Sequence, residues 1–109
     1  MNRVEALEQI ITFGEHRDQA FGVIVSFGFD CELELFEVNN EILNVVLNKY
    51  LSNFIDSDEL EEWANFIECR DDINYEKVEG FIYALANPEL MGEISDNKIC
   101  KMLEMLSAS

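Results

Sequence analysis

The sequence predicts an all-α domain, a compact bundle of about six helices. Three observations carry that prediction. Apolar residues recur at i, i+3, i+4 and i+7 in segment after segment, the spacing of one helix face turned to a core. Apolar residues make up 49% of the 109 positions, enough for a globular core despite heavy charge. Proline occurs once, and there is neither an internal repeat nor a low-complexity tract. A chain of this length hides roughly two-thirds of its unfolded surface, so residues 1–109 read as a single domain.

The first helix is expected from Asn2 to about Phe13, with Val4, Leu7, Ile10 and Ile11 as its stripe and Gly14 as its stop. A second begins near Glu15, where Glu15, His16, Arg17 and Asp18 form a polar entry to Ala20, Val23, Ile24 and Phe27. Residues 20–38 also admit a hairpin. Phe21, Val23, Val25, Phe27 and Phe29 alternate, as do Cys31, Leu33 and Leu35 with Glu32 and Glu34, and Gly28-Phe29-Asp30 would supply the turn. A lone hairpin is marginal without a sheet to join. Nothing later in the chain reads as another strand, which favours a helix followed by an extended acidic linker through Glu37; the hairpin stays open.

Asn39 or Asn40 caps a third helix running to about Phe54. Leu43, Val46, Leu47, Tyr50 and Phe54 form its stripe, and Ile42, Val45 and Leu51 widen it, so burial on more than one side is expected. The short connection Ile55-Asp56-Ser57 predicts that this helix and the next pack as antiparallel neighbours.

That next helix lies in the stretch Asp56 to Ile73 and is the most sharply patterned of the chain. Leu60, Trp63, Ala64 and Ile67 share one face, while Asp58, Glu59, Glu61, Glu62, Asn65 and Glu68 occupy the other directions. Asp56 or Ser57 caps its start, and Glu59, three residues after Asp56, completes a capping box if Asp56 is the cap. Trp63 reads as a core anchor and Arg70 as a structural ion-pair partner. A fifth helix starts at or just before Asn74, carries Val78, Phe81, Ile82 and Leu85, and ends at Asn87-Pro88, because the residue before proline avoids helical geometry. Glu89 to Ile94 is expected as a loop. Ser95 caps a last helix with Ile99, Met102, Leu103 and Leu106 on its core face.

Seven Lys and Arg against 23 Asp and Glu leave a net charge of −16. Such a chain repels nucleic acid and anionic membranes and attracts basic partners at long range. The N-terminus lacks a basic segment followed by an apolar run, so no signal peptide is expected, and no stretch has the length to cross a bilayer. Cys31, Cys69 and Cys100 are odd in number and widely spaced, reading as reduced thiols of a cytoplasmic protein, small residues of the core.

Catalytic and metal signatures are not expected. His16 is the only histidine and sits in a polar entry. The glycines at 14, 22, 28, 80 and 92 do not cluster as a phosphate-binding loop requires. Asp56-Ser57-Asp58-Glu59 lacks the glycine of a calcium loop, and a loop starting at Asp56 would put Ile67 where its closing glutamate belongs. The expectation is a binding protein without cofactor. Its candidate contact residues are Asp30, Glu32, Glu34 and Glu37 in the linker, Asp58, Glu59 and Glu62 on the tryptophan helix, and Asp71 and Asp72 beyond it.

The run Glu59-Leu60-Glu61-Glu62-Trp63-Ala64-Asn65-Phe66-Ile67-Glu68, followed by Arg70-Asp71-Asp72-Ile73, resembles small bacterial immunity proteins that neutralise polymorphic toxins, notably those of contact-dependent growth inhibition. Ala84-Leu85-Ala86-Asn87-Pro88-Glu89-Leu90 and the short helix after Ser95 are similar to their C-terminal part. The likeness spans Leu43 to Leu106. It implies a cytoplasmic helical protein that binds one cognate toxin C-terminal domain, commonly an RNase, tRNase or DNase, and blocks its basic groove. A rival from another class is a DNA mimic or acidic adaptor that sequesters a basic DNA-binding protein, for which acids arrayed at phosphate-like spacing on an elongated surface would be expected. Both readings need a basic protein partner, with no direct contact to nucleic acid or membrane.

Overall fold

A computed structural model describes residues 1–27 and 34–108. It is all-α, with seven α-helices among the described residues and one minimal pair of strands. The helices are α1 (Arg3–Ile11), α2 (Arg17–Val25), α3 (Asn40–Leu51), α4 (Ser57–Glu68), α5 (Glu79–Ala86), α6 (Pro88–Met91) and α7 (Asp96–Ala108). Strand β1 (Phe36–Glu37) pairs in parallel with β2 (Ile73–Asn74), Phe36 opposite Ile73 and Glu37 opposite Asn74.

Side-chain caps set most helix starts. The Asn2 side chain accepts from Glu5 N at 2.8 Å, and the Glu5 carboxylate answers from below, closing a capping box on α1. Asn39 caps α3 through Ile42 N at 2.9 Å. Asp56 and Glu59 form the capping box of α4, so Asp56 is the cap. Ser95 Oγ accepts from Lys98 N at the start of α7.

The ends of α1 and α3 share one device. Phe13 and Asn53 hold φ of 55° and 65°, and in each case the following N–H reaches back to the last turn, Gly14 N to Gln9 O and Phe54 N to Lys49 O, both 2.9 Å. These are Schellman closures. The left-handed residue after α1 is therefore Phe13, with Gly14 one place later. Gly14 is tightly placed as well: a Cβ there would fall 2.0 Å from Gln9 Oε1, so the Gln9 side chain would have to move and give up the bond it accepts from His16 N. Asparagine tolerates left-handed backbone better than other non-glycine residues. Asn53→Gly is expected to leave the melting temperature nearly unchanged, whereas Asn53→Val should cost about 1 kcal/mol or more in urea titration.

The core is one cluster built from every helix except α6. Leu7, Ile10, Ile11, Leu43, Leu47, Leu60, Trp63, Ile67, Ile82, Leu85 and Ile99 are all fully buried. α1 packs on α2, α4 on α5, and α3 on α7. The expected α3–α4 pairing is thus corrected. A short link fixes how close two helix ends lie but not the angle between them, and the left-handed Asn53 sends the chain off in a new direction. α3 is also not buried on several sides, since Val45 is 54% exposed, and Phe54 lies beyond its end.

Other boundaries shift for local reasons. Residues 21–25 are helical, which removes the hairpin there, while the proposed turn at Gly28-Phe29-Asp30 and the alternation of residues 31–33 lie outside the described residues. The linker ends in a strand after all. Leu35 N and Phe36 N donate to Asp72 O, and Val38 N donates to Asn74 O. Ile73–Asn74 is the partner strand that periodicity over two residues could not reveal. Glu76–Val78 is a 3₁₀ turn leading into α5, and Pro88 opens the one-turn α6 at its first position, where a missing N–H costs nothing. Part of the expected Glu89–Ile94 loop is therefore helical. No helix among the described residues is long and apolar enough to cross a membrane.

Candidate protein-interaction surface

α4 fixes the geometry of the acidic face. Its four apolar residues, Leu60, Trp63, Ala64 and Ile67, are all fully buried. The Trp63 indole N–H donates to Ile11 O at 2.9 Å, satisfying one of the carbonyls that α1 leaves open at its C-terminus. The next carbonyl back, Ile10 O, accepts from Arg17 Nε at 3.0 Å. Tryptophan thus does two jobs: it fills the core, and it locks α4 to the end of α1. The helix cannot rotate without breaking that bond, so Asp58, Glu59 and Glu62 are held outward and exposed.

Several of the seven cations are engaged by the fold itself, while Lys77 and Lys101 stay exposed. Arg3 Nε reaches Asp72 Oδ2 at 2.9 Å, and Arg70 engages the same carboxylate in a fork, Nε to Oδ1 at 2.8 Å and Nη2 to Oδ2 at 2.9 Å. The Arg17 guanidinium stacks 4.1 Å from the Phe13 ring centre and 4.9 Å from that of Phe21. Burial pushes its pKa down, against the opposing pull of Glu59, Asp18 and Glu62. Lys98 donates Nζ to the carbonyls of Met91 and Gly92, closing the end of α6. Lys77 pairs with Glu37 at 3.0 Å on the surface. Among the described residues these contacts leave Asp58, Glu61 and Glu62 without an ion pair.

The candidate acids divide accordingly. Asp72 is corrected outright: it is fully buried, enclosed by Arg3 and Arg70, and cannot touch a partner. Adjacent acids in a sequence look equivalent, and only the position of α1 shows that one of the pair Asp71-Asp72 faces inward. Arg70, 5% exposed, has the ion-pair role expected of it. Glu37 is exposed but already paired. Asp30 and Glu32 lie outside the described residues. Glu34 and Asp71 come together across the strand pair, lining a cleft of about 330 Å³ with Glu68, Tyr75, Glu76 and Glu79. The last four were missed because their approach depends on the parallel register of β1 and β2. The phenol of Tyr75 is pushed up first by burial and then by Glu68 and Glu79, and Arg70 lines the same cleft.

The thiols also differ from expectation. Cys69 and Cys100 are exposed rather than in the core, and Cys31 lies outside the described residues. Cys69 caps the end of α4, and Cys100 sits on the outer side of α7, positions that helix spacing alone would have excluded from the core. His16 is exposed at the start of α2. No group of three or more His, Cys, Asp or Glu among the described residues is placed to hold a metal ion.

Comparison with family models, with curated proteins and with solved structures finds no match to this chain. What stands on the geometry is a small, acidic, all-α domain with a rigid anionic face.

Proposed function

We propose that the chain is an immunity-type inhibitor, acting in the cytoplasm by binding one cognate toxin C-terminal domain rather than by catalysis. The toxin domain is a basic nuclease, and the inhibitor occludes its phosphate-binding groove. The allocation of charge carries this reading. With Arg3 and Arg70 turned onto Asp72, Arg17 onto a helix end and Lys98 onto α6, the outer acids of α4 and the Glu34–Asp71 cleft, whose wall also includes Arg70, present a predominantly negative field. A nuclease groove is complementary to such a field, which speeds encounter and excludes neutral partners. The resemblance of residues 43–106 to immunity proteins of contact-dependent growth inhibition points the same way. A body of 38 × 26 × 25 Å is more compact than the elongated array expected of a DNA mimic, which favours the inhibitor over the acidic adaptor.

The test is co-purification of the tagged protein with the C-terminal domain encoded immediately upstream, followed by separation and assay of the freed partner on RNA and DNA. A stoichiometric complex whose partner cleaves only when released is the expected result. Absence of a complex, or a partner without toxic activity, overturns the reading. Glu34→Lys combined with Glu62→Lys should weaken that complex at least tenfold at low salt, with a smaller loss at high salt as screening removes the long-range component. Calorimetry over a salt series measures it.

A further inference from the structure

The turn between α3 and α4 carries an aromatic ring that the fold does not bury. Phe54 is 77% exposed, although the next residue, Ile55, is buried. The Lys49 ammonium stands 5.5 Å from its ring centre, which covers little of it. Beside the ring a cleft of about 390 Å³ opens where the end of α3 meets the starts of α4 and α7, with Tyr50, Asp56, Glu59 and Asp96 among its walls. Tyr50 is half-buried, and its phenol is pushed up by burial and then by Asp96. Asp56 and Glu59 each commit one carboxylate oxygen to their reciprocal cap, leaving the other available.

Carboxylates alone would not single out this place on a chain of charge −16. The two aromatic rings do. An exposed ring face among acids favours a cation, and a guanidinium over an ammonium, because it is planar, weakly hydrated and stacks on aromatic surfaces while forking onto carboxylates. A second copy of this chain would bring like charge against like, and an apolar partner would bury the acids unpaired. We propose that the cleft of Tyr50, Phe54, Asp56, Glu59 and Asp96 anchors an arginine side chain of a basic partner protein. The proposal rests on the inhibitor reading for the sign of the partner's charge. It adds an anchor at the opposite end of α4 from the Glu34–Asp71 cleft, and a helix of 12 residues sets the two about 18 Å apart.

The test uses the full chain, isotopically labelled, titrated with a short oligo-arginine peptide at near-physiological salt and followed by NMR. Phe54→Ala leaves the net charge unchanged and removes an exposed side chain, so the fold is spared. Chemical-shift changes should concentrate at Tyr50, Phe54 and Asp96, and Phe54→Ala should weaken binding about fivefold. Oligo-lysine of the same length should bind the native chain more weakly than oligo-arginine, with the difference shrinking in the variant. Equal affinity of native protein and Phe54→Ala, or shifts spread evenly over all acidic faces, would overturn the anchor. That failure would leave the inhibitor reading to its own co-purification test, and failure of co-purification would leave the peptide result standing.

Discussion

Asp72→Ala is expected to destabilise the protein by about 3–5 kcal/mol, the largest effect of any single charge removal. The carboxylate is fully buried and is held by both Arg3 and Arg70, the latter itself 5% exposed. Removing it takes away a carboxylate that both guanidinium groups face, and with it the charge-assisted bonds that offset the cost of their burial. The same residue joins α1, the end of α4 and β1, because its main-chain carbonyl, kept in Asp72→Ala, accepts from Leu35 N and Phe36 N while its carboxylate holds Arg3 and Arg70. Asp72→Asn keeps the shape but not the charge and is expected to lose nearly as much. Replacing all three partners by apolar residues of similar volume should recover much of the loss, because the pair's desolvation cost vanishes with it. Urea denaturation of the three variants measures each of these.

The pH dependence follows from the same contact. Burial would raise the Asp72 pKa, but hydrogen bonds from Arg70 and Arg3 and their charges outweigh it, so the group lies below the ordinary value of 3.8. A depressed carboxyl contributes stability that is fully present above its unfolded pKa and is lost as pH falls through the folded one. Native protein should therefore show an acid-unfolding component beginning below about pH 4 that Asp72→Asn lacks.

Trp63→Ala is the second large change, with an expected cost of about 3–5 kcal/mol from the cavity and lost burial. Trp63→Phe separates the two roles of the indole. It retains most of the apolar contact but leaves Ile11 O without its 2.9 Å donor, for which about 1–3 kcal/mol is expected. Circular dichroism during urea titration reads both variants, since the only tryptophan is gone from each. Against a total stability of roughly 5–15 kcal/mol for a domain of this kind, Trp63→Ala brings the fold close to its limit. A result of less than about 1 kcal/mol for Trp63→Phe would mean that the α1 end is satisfied in some other way.

The sequence by itself determined the helical class, the inward face of α4 and the cap at Ser95, and narrowed two further caps to Asp56 or Ser57 and Asn39 or Asn40, because these follow from interactions within four residues of one another. The burial of Leu60, Trp63, Ala64 and Ile67 was legible for the same reason. Only the tertiary structure decided which helices pair, since a five-residue turn with a left-handed Asn53 constrains distance and not direction. It alone set Phe36–Glu37 beside Ile73–Asn74, a contact between residues some three dozen positions apart with no pattern longer than a dipeptide. Asp71 and Asp72 show the limit most sharply. They are identical neighbours in the chain, and one lines an open cleft while the other is sealed between two arginines, because Arg3 arrives from 69 residues away. Charge composition announced an acidic protein, but which acids remain free to meet a partner was settled by where the few cations came to rest.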